Sequence, residues 1–464
     1  MSTGIGTTAR PTRRRLTLAA SIVGSGASAE AWNWPGTKWN RFADFERYRR
    51  CAQIARSGNL DAVFVSDHPA LQRDASHGPS HLFDPIVLFS AIAAAVPDIG
   101  FVLTASTIAI SGIDNPTRED PMTVYDPATP YTAAPVRYET IPYRRSGRSG
   151  LDLPSISFGL WQKFGTDYPF ATQREIILRA FDLGITHFDN ADRYGPPHRA
   201  AQQNFGAVLS RDLAPYRDEL ILSTKAGNPI GASPYLRGGS RKSLLNSLEH
   251  SLRDLGTEYV DIFYHHSPDL DTPLQESVGA LVDAVRQGKA LYVGISNYQP
   301  DRVHEAAELL PAEGVPLLIH QTRYSIYDRG PERGGLLETA SSDGFGVIVY
   351  SPLAQGLLTD KYLETIPEGA RARNSAFLSP EVIDDTYRQR TSALNKIAES
   401  RGQSLAQLAL QWVLRRPEVT SALIGASSVE QLDHNLAALS FPTLTDEELA
   451  LIDEHGVHGT GTRR

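Results

Sequence analysis

Between residues 155 and 426, eight short apolar runs alternate with stretches of helical spacing, and that rhythm leaves few folds open. The runs occupy 155–161, 185–191, 220–226, 261–267, 290–296, 317–324, 346–353 and 420–426. They are nearly continuous in apolar residues, a pattern that belongs to parallel strands covered on both faces. The stretches between them are amphipathic. In SRKSLLNSLEHSLRDLG, Leu244, Leu248, Leu252 and Leu255 share one face, Ser240 can cap the start and Gly256 the end. Eight strand–helix units in roughly 300 residues are what a closed (β/α)8 barrel of the α/β class requires. The segment RRSGRSGLDLP ahead of the first run reads as a hairpin that plugs the barrel floor. An open doubly wound sheet is the competitor, but no Gly-rich dinucleotide turn follows any run.

The 464 residues are more than one such barrel needs. Residues 111–136 contain Pro116, Pro121, Pro127, Pro130 and Pro135 without sustained periodicity, and read as a linker. This leaves 1–110 as one piece and 137–464 as the barrel. The chain carries 45 Lys and Arg against 53 Asp and Glu, a net charge of −8, which argues against nucleic acid as a partner. The excess is local: residues 1–135 hold 12 of each sign, and 136–464 hold 33 basic against 41 acidic. No stretch approaches the roughly 18 apolar residues of a membrane helix. The single cysteine, Cys51, excludes an internal disulfide and a Cys-based cage, and no metal site is expected.

In barrels of this kind, reactive groups sit at the C-terminal ends of strands. Those ends supply Asp189 and Tyr194 in FDNADRYG, Lys225 in STKAG, and His265 and His266 in YVDIFYHHSPD. Singly, each is more often a solvated charge, a packed ring or a satisfied histidine. On three consecutive strands they compose a site for carbonyl reduction. A hydride must reach carbon while an acid supplies a proton to oxygen as negative charge develops there. A tyrosine titrates near 10, and an ammonium beside it favours the phenolate and lowers that value. Lys225 can be that ammonium, held in place by Asp189, while His266 orients the carbonyl and His265 is read as structural.

With these residues in place, 138–456 resembles the aldo-keto reductases, whose fold is a TIM-type (β/α)8 barrel. The resemblance maps the family's catalytic tetrad onto Asp189, Tyr194, Lys225 and His266. It also implies a nicotinamide cofactor. By the same resemblance, Trp161 would lie at the cofactor end of the first strand, Ser296, Asn297 and Gln321 would hold the carboxamide, and Tyr350 would stack on the ring, with Ser351, Leu353 and Gln355 following. Lys361 and Arg371 match phosphate contacts, and Ser427, Gln431 and Asn435 match the clasp around the adenosine half. The planar fork of Arg371 favours NADPH over NADH. Departures stand at Ser428, where relatives carry a basic residue, at His434, where they carry Glu, and at Gln202 and Gln203, which replace an acidic pair. Phrases such as FDLGITHFDNADRYGPP and GKALYVGISNY resemble the bacterial branch acting on L-glyceraldehyde 3-phosphate. This implies reduction of small polar aldehydes and of dicarbonyls such as methylglyoxal, with Arg193 and Arg241 as candidates to grip a substrate phosphate. The alternative is a nucleotide-sensing regulatory subunit of the potassium-channel β-subunit type. A homo-oligomer is left open.

The start of the chain admits two readings. RRRLTLAASIVGSGASAEAWNWPG has the twin arginines and small-residue site of an export signal. It is followed by helical spacing through Phe45, Tyr48, Cys51, Ala52 and Ala55, a break at Gly58 and an apolar run at 62–65. A second helix ends at Pro97 and a run follows at 101–105. A first strand in a cytoplasmic protein therefore fits better than an address label. Residues 15–110 resemble the opening of FMN-dependent luciferase-like monooxygenases of the nitrilotriacetate-monooxygenase type, cut at about a quarter of that barrel, so no flavin is expected. The resulting chain has the pattern of a gene fusion.

Overall fold

The computed structural model describes residues 19–21, 45–57, 62–65, 92, 95–96, 100–103 and 131–462 apart from 369, 375 and 376. The chain divides into two compact units, residues 1–122 and 123–464. In the first unit, strands β1 (Ala19–Ser21), β2 (Ala62–Val65) and β3 (Gly100–Leu103) are parallel and lie in the order β1-β2-β3. Helix α1 (Phe45–Ser57) precedes β2 and buries Tyr48, Ala52 and Ala55, the face that the spacing predicts. Most of the second predicted helix lies outside the described residues.

The second unit opens with an antiparallel hairpin, β4 (Tyr143–Arg145) and β5 (Asp152–Pro154). Eight parallel strands follow: β6 (Ile156–Gly159), β7 (His187–Asp189), β8 (Ile221–Ala226), β9 (Val260–His265), β10 (Ala290–Ser296), β11 (Leu317–Arg323), β12 (Gly346–Tyr350) and β13 (Val419–Ile424). They close on themselves, β13 pairing with β6, so no strand edge is left open. Each lies inside one of the eight apolar runs or within a residue of it. Helices fill the connections, among them α2 (Phe170–Asp182), α3 (Ala200–Val208) and α4 (Arg241–Leu255). Helix α4 forms as its sequence dictates: Ser240 accepts from the Ser243 amide, Gly256 ends it at φ +66°, and Leu244, Leu248, Leu252 and Leu255 are buried. The terminal glycine is needed because a side chain disfavours that left-handed conformation.

The hairpin closes the N-terminal mouth of the barrel. Arg144 donates to the carbonyls of Val419 (2.9 Å) and Leu414 (2.8 Å), and the Ser146 hydroxyl donates to that of Leu318 (3.1 Å). At Gly147 a Cβ would stand 2.2 Å from the Gly344 carbonyl oxygen, so only glycine lets the hairpin approach this closely. Leu153 is fully buried and clusters with Ile262, Ile319 and Ile348 in the barrel interior. The last residues of the predicted linker are docked on the barrel: Tyr131 Oη and the Ala134 amide both donate to Asp182, at 2.7 and 2.8 Å. With the floor sealed, only the C-terminal mouth is left for chemistry.

Because Leu153 fills the plugged end, Leu153→Ala should leave a cavity that the closed barrel cannot collapse. The expected loss is about 2–5 kcal/mol, read as a lower urea midpoint for the barrel transition. An unchanged midpoint would show that the hairpin is not part of the cooperative core.

Candidate active site

Alternation along a strand sends residues i and i+2 to the same side. Asp189 at the end of β7 and Lys225 in β8 therefore both face the barrel interior, and both are fully buried. Lys225 Nζ donates to Asp189 Oδ2 (2.5 Å), to the Asn190 carbonyl (2.8 Å) and to Tyr194 Oη (3.1 Å). An ammonium has three protons, and each has an acceptor. Asp189 Oδ1 accepts in addition from Ser223 Oγ (2.8 Å) and Gln321 Nε2 (3.1 Å). Burial pulls the Lys225 ammonium below its ordinary range, and the Asp189 charge pulls it back.

Tyr194 stands in the turn after β7, its amide bonded to the Ala191 carbonyl, and is 8% exposed. Here the structure departs from the sequence reading, which has a lowered phenol. Burial holds the Tyr194 hydroxyl well above its ordinary value, and the Asp189 charge adds to the effect. The phenol is therefore neutral and keeps its proton. Lys225 donates to its oxygen, so that proton is free to point elsewhere.

His266 packs edge-on to Tyr194, ring centroids 5.9 Å apart. Burial, with the charges of Lys225 and Arg193 adding, pushes its imidazole well below the ordinary histidine value. It is a neutral group next to the phenol. Its neighbour His265 is held instead by Tyr298 Oη at 2.6 Å from Nδ1.

The open end of the barrel forms a cavity of about 700 Å³. Tyr194 and His266 line it, as do Trp161, Ser296, Asn297, Gln321, Tyr350, Ser351, Leu353, Gln355, Lys361, Ser427 and Gln431. Asp189 and Lys225 are not on its wall; Lys225 reaches it through Tyr194, and Asp189 through Gln321. Tyr350 Oη donates to Asn297 Oδ1 (2.7 Å), and Asn297 Nδ2 donates to the His266 carbonyl (2.9 Å), which locks the amide between the ends of β9 and β12. Asn297, Ser351 and Gln355 have φ of 63°, 53° and 61°, a left-handed conformation that side-chain-bearing residues adopt at a cost and that collects at functional sites. Gln431 accepts from both the amide and the hydroxyl of Ser427, at 2.8 and 3.0 Å. Asn435 is buried and stands apart from the cavity-lining residues, and the side chain of Arg371 lies outside the described residues.

The departures from the family pattern have local explanations. Ser428 caps the helix Val429–Leu436, and His434 Nε2 meets Ser404 Oγ at 2.9 Å. Gln202 is buried and donates to Thr224 Oγ1 (2.6 Å), bracing β8, while Gln203 reaches Asp254. Arg241 is ion-paired with Asp283 on a neighbouring helix, whereas Arg193 lines the cavity. Sequence reasoning missed Ser223 beneath Asp189, Lys163 and Arg323 on the wall, and Phe377, whose ring meets Trp161 at 4.9 Å. Ser223 could have been found from its spacing of two from Lys225. Phe377 carries no such signal, since it stands in irregular chain.

Comparison with known proteins agrees with this geometry. The Aldo/keto reductase family model matches residues 155–457. The chain is 50% identical over 333 residues to L-glyceraldehyde 3-phosphate reductase of Escherichia coli K12, an alignment covering 71% of this chain and 96% of that protein. It is also 34% identical over 319 residues to a probable voltage-gated potassium channel subunit beta of Oryza sativa subsp. japonica, covering 67% and 95% of the two chains. Among the described residues, no helix is long and apolar enough to cross a membrane and no cluster of His, Cys, Asp or Glu could hold a metal.

The interior histidines make the barrel sensitive to acid. Burial lowers His187 and His265 to about 4 and His320 to about 3. An unfolded histidine protonates near 6.5, so their contribution is complete above that pH and is lost as pH falls toward the folded values. His187 and His265 can each withdraw about 3 kcal/mol over that window, and His320 about 5. Asp192, raised to about 6 by burial, runs the opposite way. The balance predicts a urea midpoint that falls steeply from pH 6.5 to 4. A flat profile would mean that these rings are protonated in the folded protein.

Proposed function

The chain belongs to the aldo/keto reductase family, and from that premise we propose that it reduces small polar aldehydes to alcohols with NADPH. L-glyceraldehyde 3-phosphate is the first candidate substrate, in keeping with the 50% identity to the Escherichia coli reductase of that name, and methylglyoxal-like dicarbonyls come next. The observation that carries the reading is the saturated ammonium. With all three Lys225 protons committed, one of them to the Tyr194 oxygen, the phenol's own proton is the one left to face the cavity.

The cavity suits a dinucleotide. Lys163, Arg193, Arg323 and Lys361 line it and, among the described residues, no carboxylate does, although the chain as a whole is acidic. Gln355 Oε1 is buried there with no hydrogen-bond partner among the described residues. Bound NADPH supplies the hydride. Ser296, Asn297 and Gln321 present the polar atoms suited to a carboxamide, and Tyr350 offers a ring face beside them. Lys361, with Arg371, is assigned to the phosphates, and Ser427, Gln431 and Asn435 to the adenosine half.

Tyr194 gives its proton to the carbonyl oxygen as charge develops there, and Lys225 stabilises the phenolate left behind. Asp189 keeps that ammonium charged in a dry interior. Neutral His266 offers a second hydrogen bond to the same oxygen, which fixes the aldehyde relative to Tyr194. No flavin enters this scheme. We read the parallel order of β1, β2 and β3 as the opening of a second β/α barrel of the luciferase-like type. The pairing of β1 with β2 supports a strand at 19–21 rather than an export signal, and with it a cytoplasmic protein.

A panel of glyceraldehyde, glyceraldehyde 3-phosphate and methylglyoxal, followed by NADPH oxidation, tests the reading. Tyr194→Phe should lower kcat by about a hundredfold or more while NADPH still quenches protein fluorescence with the wild-type Kd. Near-normal turnover in that variant would refute the assigned acid. Nucleotide binding without any turnover in the wild type would favour a sensing subunit of the potassium-channel type.

A further inference from the structure

Beneath the ion pair lies a layer of polar side chains that the proposed mechanism does not use. Ser421, Ser157, His187 and Ser223, on the adjacent strands β13, β6, β7 and β8, are all fully buried. Ser421 Oγ and Ser157 Oγ are 2.6 Å apart, Ser157 Oγ is 2.9 Å from His187 Nδ1, and His187 Nε2 is 3.1 Å from Ser223 Oγ. The opposite side of the interior is apolar, with Ile262, Ile319 and Ile348.

The direction of each bond follows from the last one. Ser223 has a single proton and spends it on Asp189 Oδ1 at 2.8 Å. Its oxygen can then only accept, so His187 Nε2 must carry a hydrogen. The ring is neutral, burial holding it near 4, so Nδ1 is bare and accepts from Ser157. Ser157, its proton used, accepts from Ser421. Every donor in the row therefore points toward Asp189. Without the imidazole N–H, the Ser223 oxygen would lose the donor that sets its orientation, and only its bond to Asp189 would be left to hold it.

We propose that His187 is a positioning residue for the reductase chemistry: its N–H orients Ser223, Ser223 supports Asp189, and Asp189 keeps Lys225 charged beside Tyr194. This rests on the reductase reading of the site. The titratable groups about Lys225 are Asp189 and Asp192 from the β7 side, Tyr194, Tyr264 on β9, His266, and His187 itself. A His187 substitution leaves the other five in place. Because the ring is neutral, its effect on the Lys225–Tyr194 pair is carried by the bond to Ser223 and on through Asp189.

The test is a set of variants of the full chain assayed by NADPH oxidation across pH. His187→Leu should lower kcat about tenfold, the effect of one neutral hydrogen bond, with the NADPH Kd unchanged. The alkaline limb of kcat/KM should move to higher pH, because a carboxylate with a weakened donor is more basic and holds the ammonium and phenol protons more tightly. His187→Gln, which restores an N–H donor and an acceptor, should recover the wild-type limb. Ser223→Ala should reproduce the shift, and the double variant should lose no more than either single one. An alkaline limb that stays in place, additive losses, or no rescue by glutamine would reduce His187 to packing and overturn the proposal. Wild-type protein that turns over no aldehyde would overturn the reductase reading itself, and this inference with it.

Discussion

The ion pair of Lys225 and Asp189 is the constraint to which the rest of the barrel answers. Two opposite charges buried together cost several kcal/mol each in lost hydration, and their mutual attraction rarely does more than offset that. The arrangement is tolerable only when the remaining protons and lone pairs are also satisfied. Here they are: Lys225 reaches Asp189, the Asn190 carbonyl and Tyr194, and Asp189 takes further bonds from Ser223 and Gln321. A well-packed apolar pair would serve stability as well. What the charged pair adds is a fixed positive charge under one tyrosine oxygen.

That need explains the asymmetry of the interior. A barrel built for stability alone would carry branched apolar residues around its whole inner surface. The half over β9, β11 and β12 does so, and Leu153 of the hairpin packs against it from below. The half over β13, β6, β7 and β8 is given to serines and a histidine, which can hand hydrogen bonds upward to the carboxylate. The sealed floor and the closed ring of strands keep competing water away from this polar half. The strained backbone at Asn297, Ser351 and Gln355 is concentrated at the other end, where the cavity opens.

The fold was legible because its signals are local. Each strand run is short, apolar and bounded by an amphipathic helix, and a cap such as Ser240 or a stop such as Gly256 is written in the residue itself. That Asp189, Tyr194, Lys225 and His266 meet was legible through their spacing along the ends of β7, β8 and β9, and most of the cavity-lining positions through likeness to a family. What could not be read was anything set by the three-dimensional surroundings. The Tyr194 phenol is the clearest case. A nearby ammonium predicts a lowered value, but the burial that raises it depends on how completely the barrel encloses the ring. The contact of Trp161 with Phe377 joins residues more than two hundred positions apart, and neither chain segment announces it. Likewise, Arg193 and Arg241 look alike in sequence. Only the fold shows that one is occupied by Asp283 and the other lines the cavity.

The raised phenol changes how the site's parts divide the work. If the ammonium's task were to ionise Tyr194 in the resting protein, the residue would lack the proton that the proposed reaction asks of it. In that proposal, a neutral phenol beside a saturated ammonium holds its proton until a carbonyl oxygen takes up charge. Only then is the Lys225 bond at its strongest, against a forming phenolate. An interaction that grows along the reaction lowers the barrier, whereas one already complete in the resting state does not. The geometry around Lys225 is therefore best understood as support for a charge that does not yet exist. Its three bonds are made in advance, so that little has to move when that charge appears.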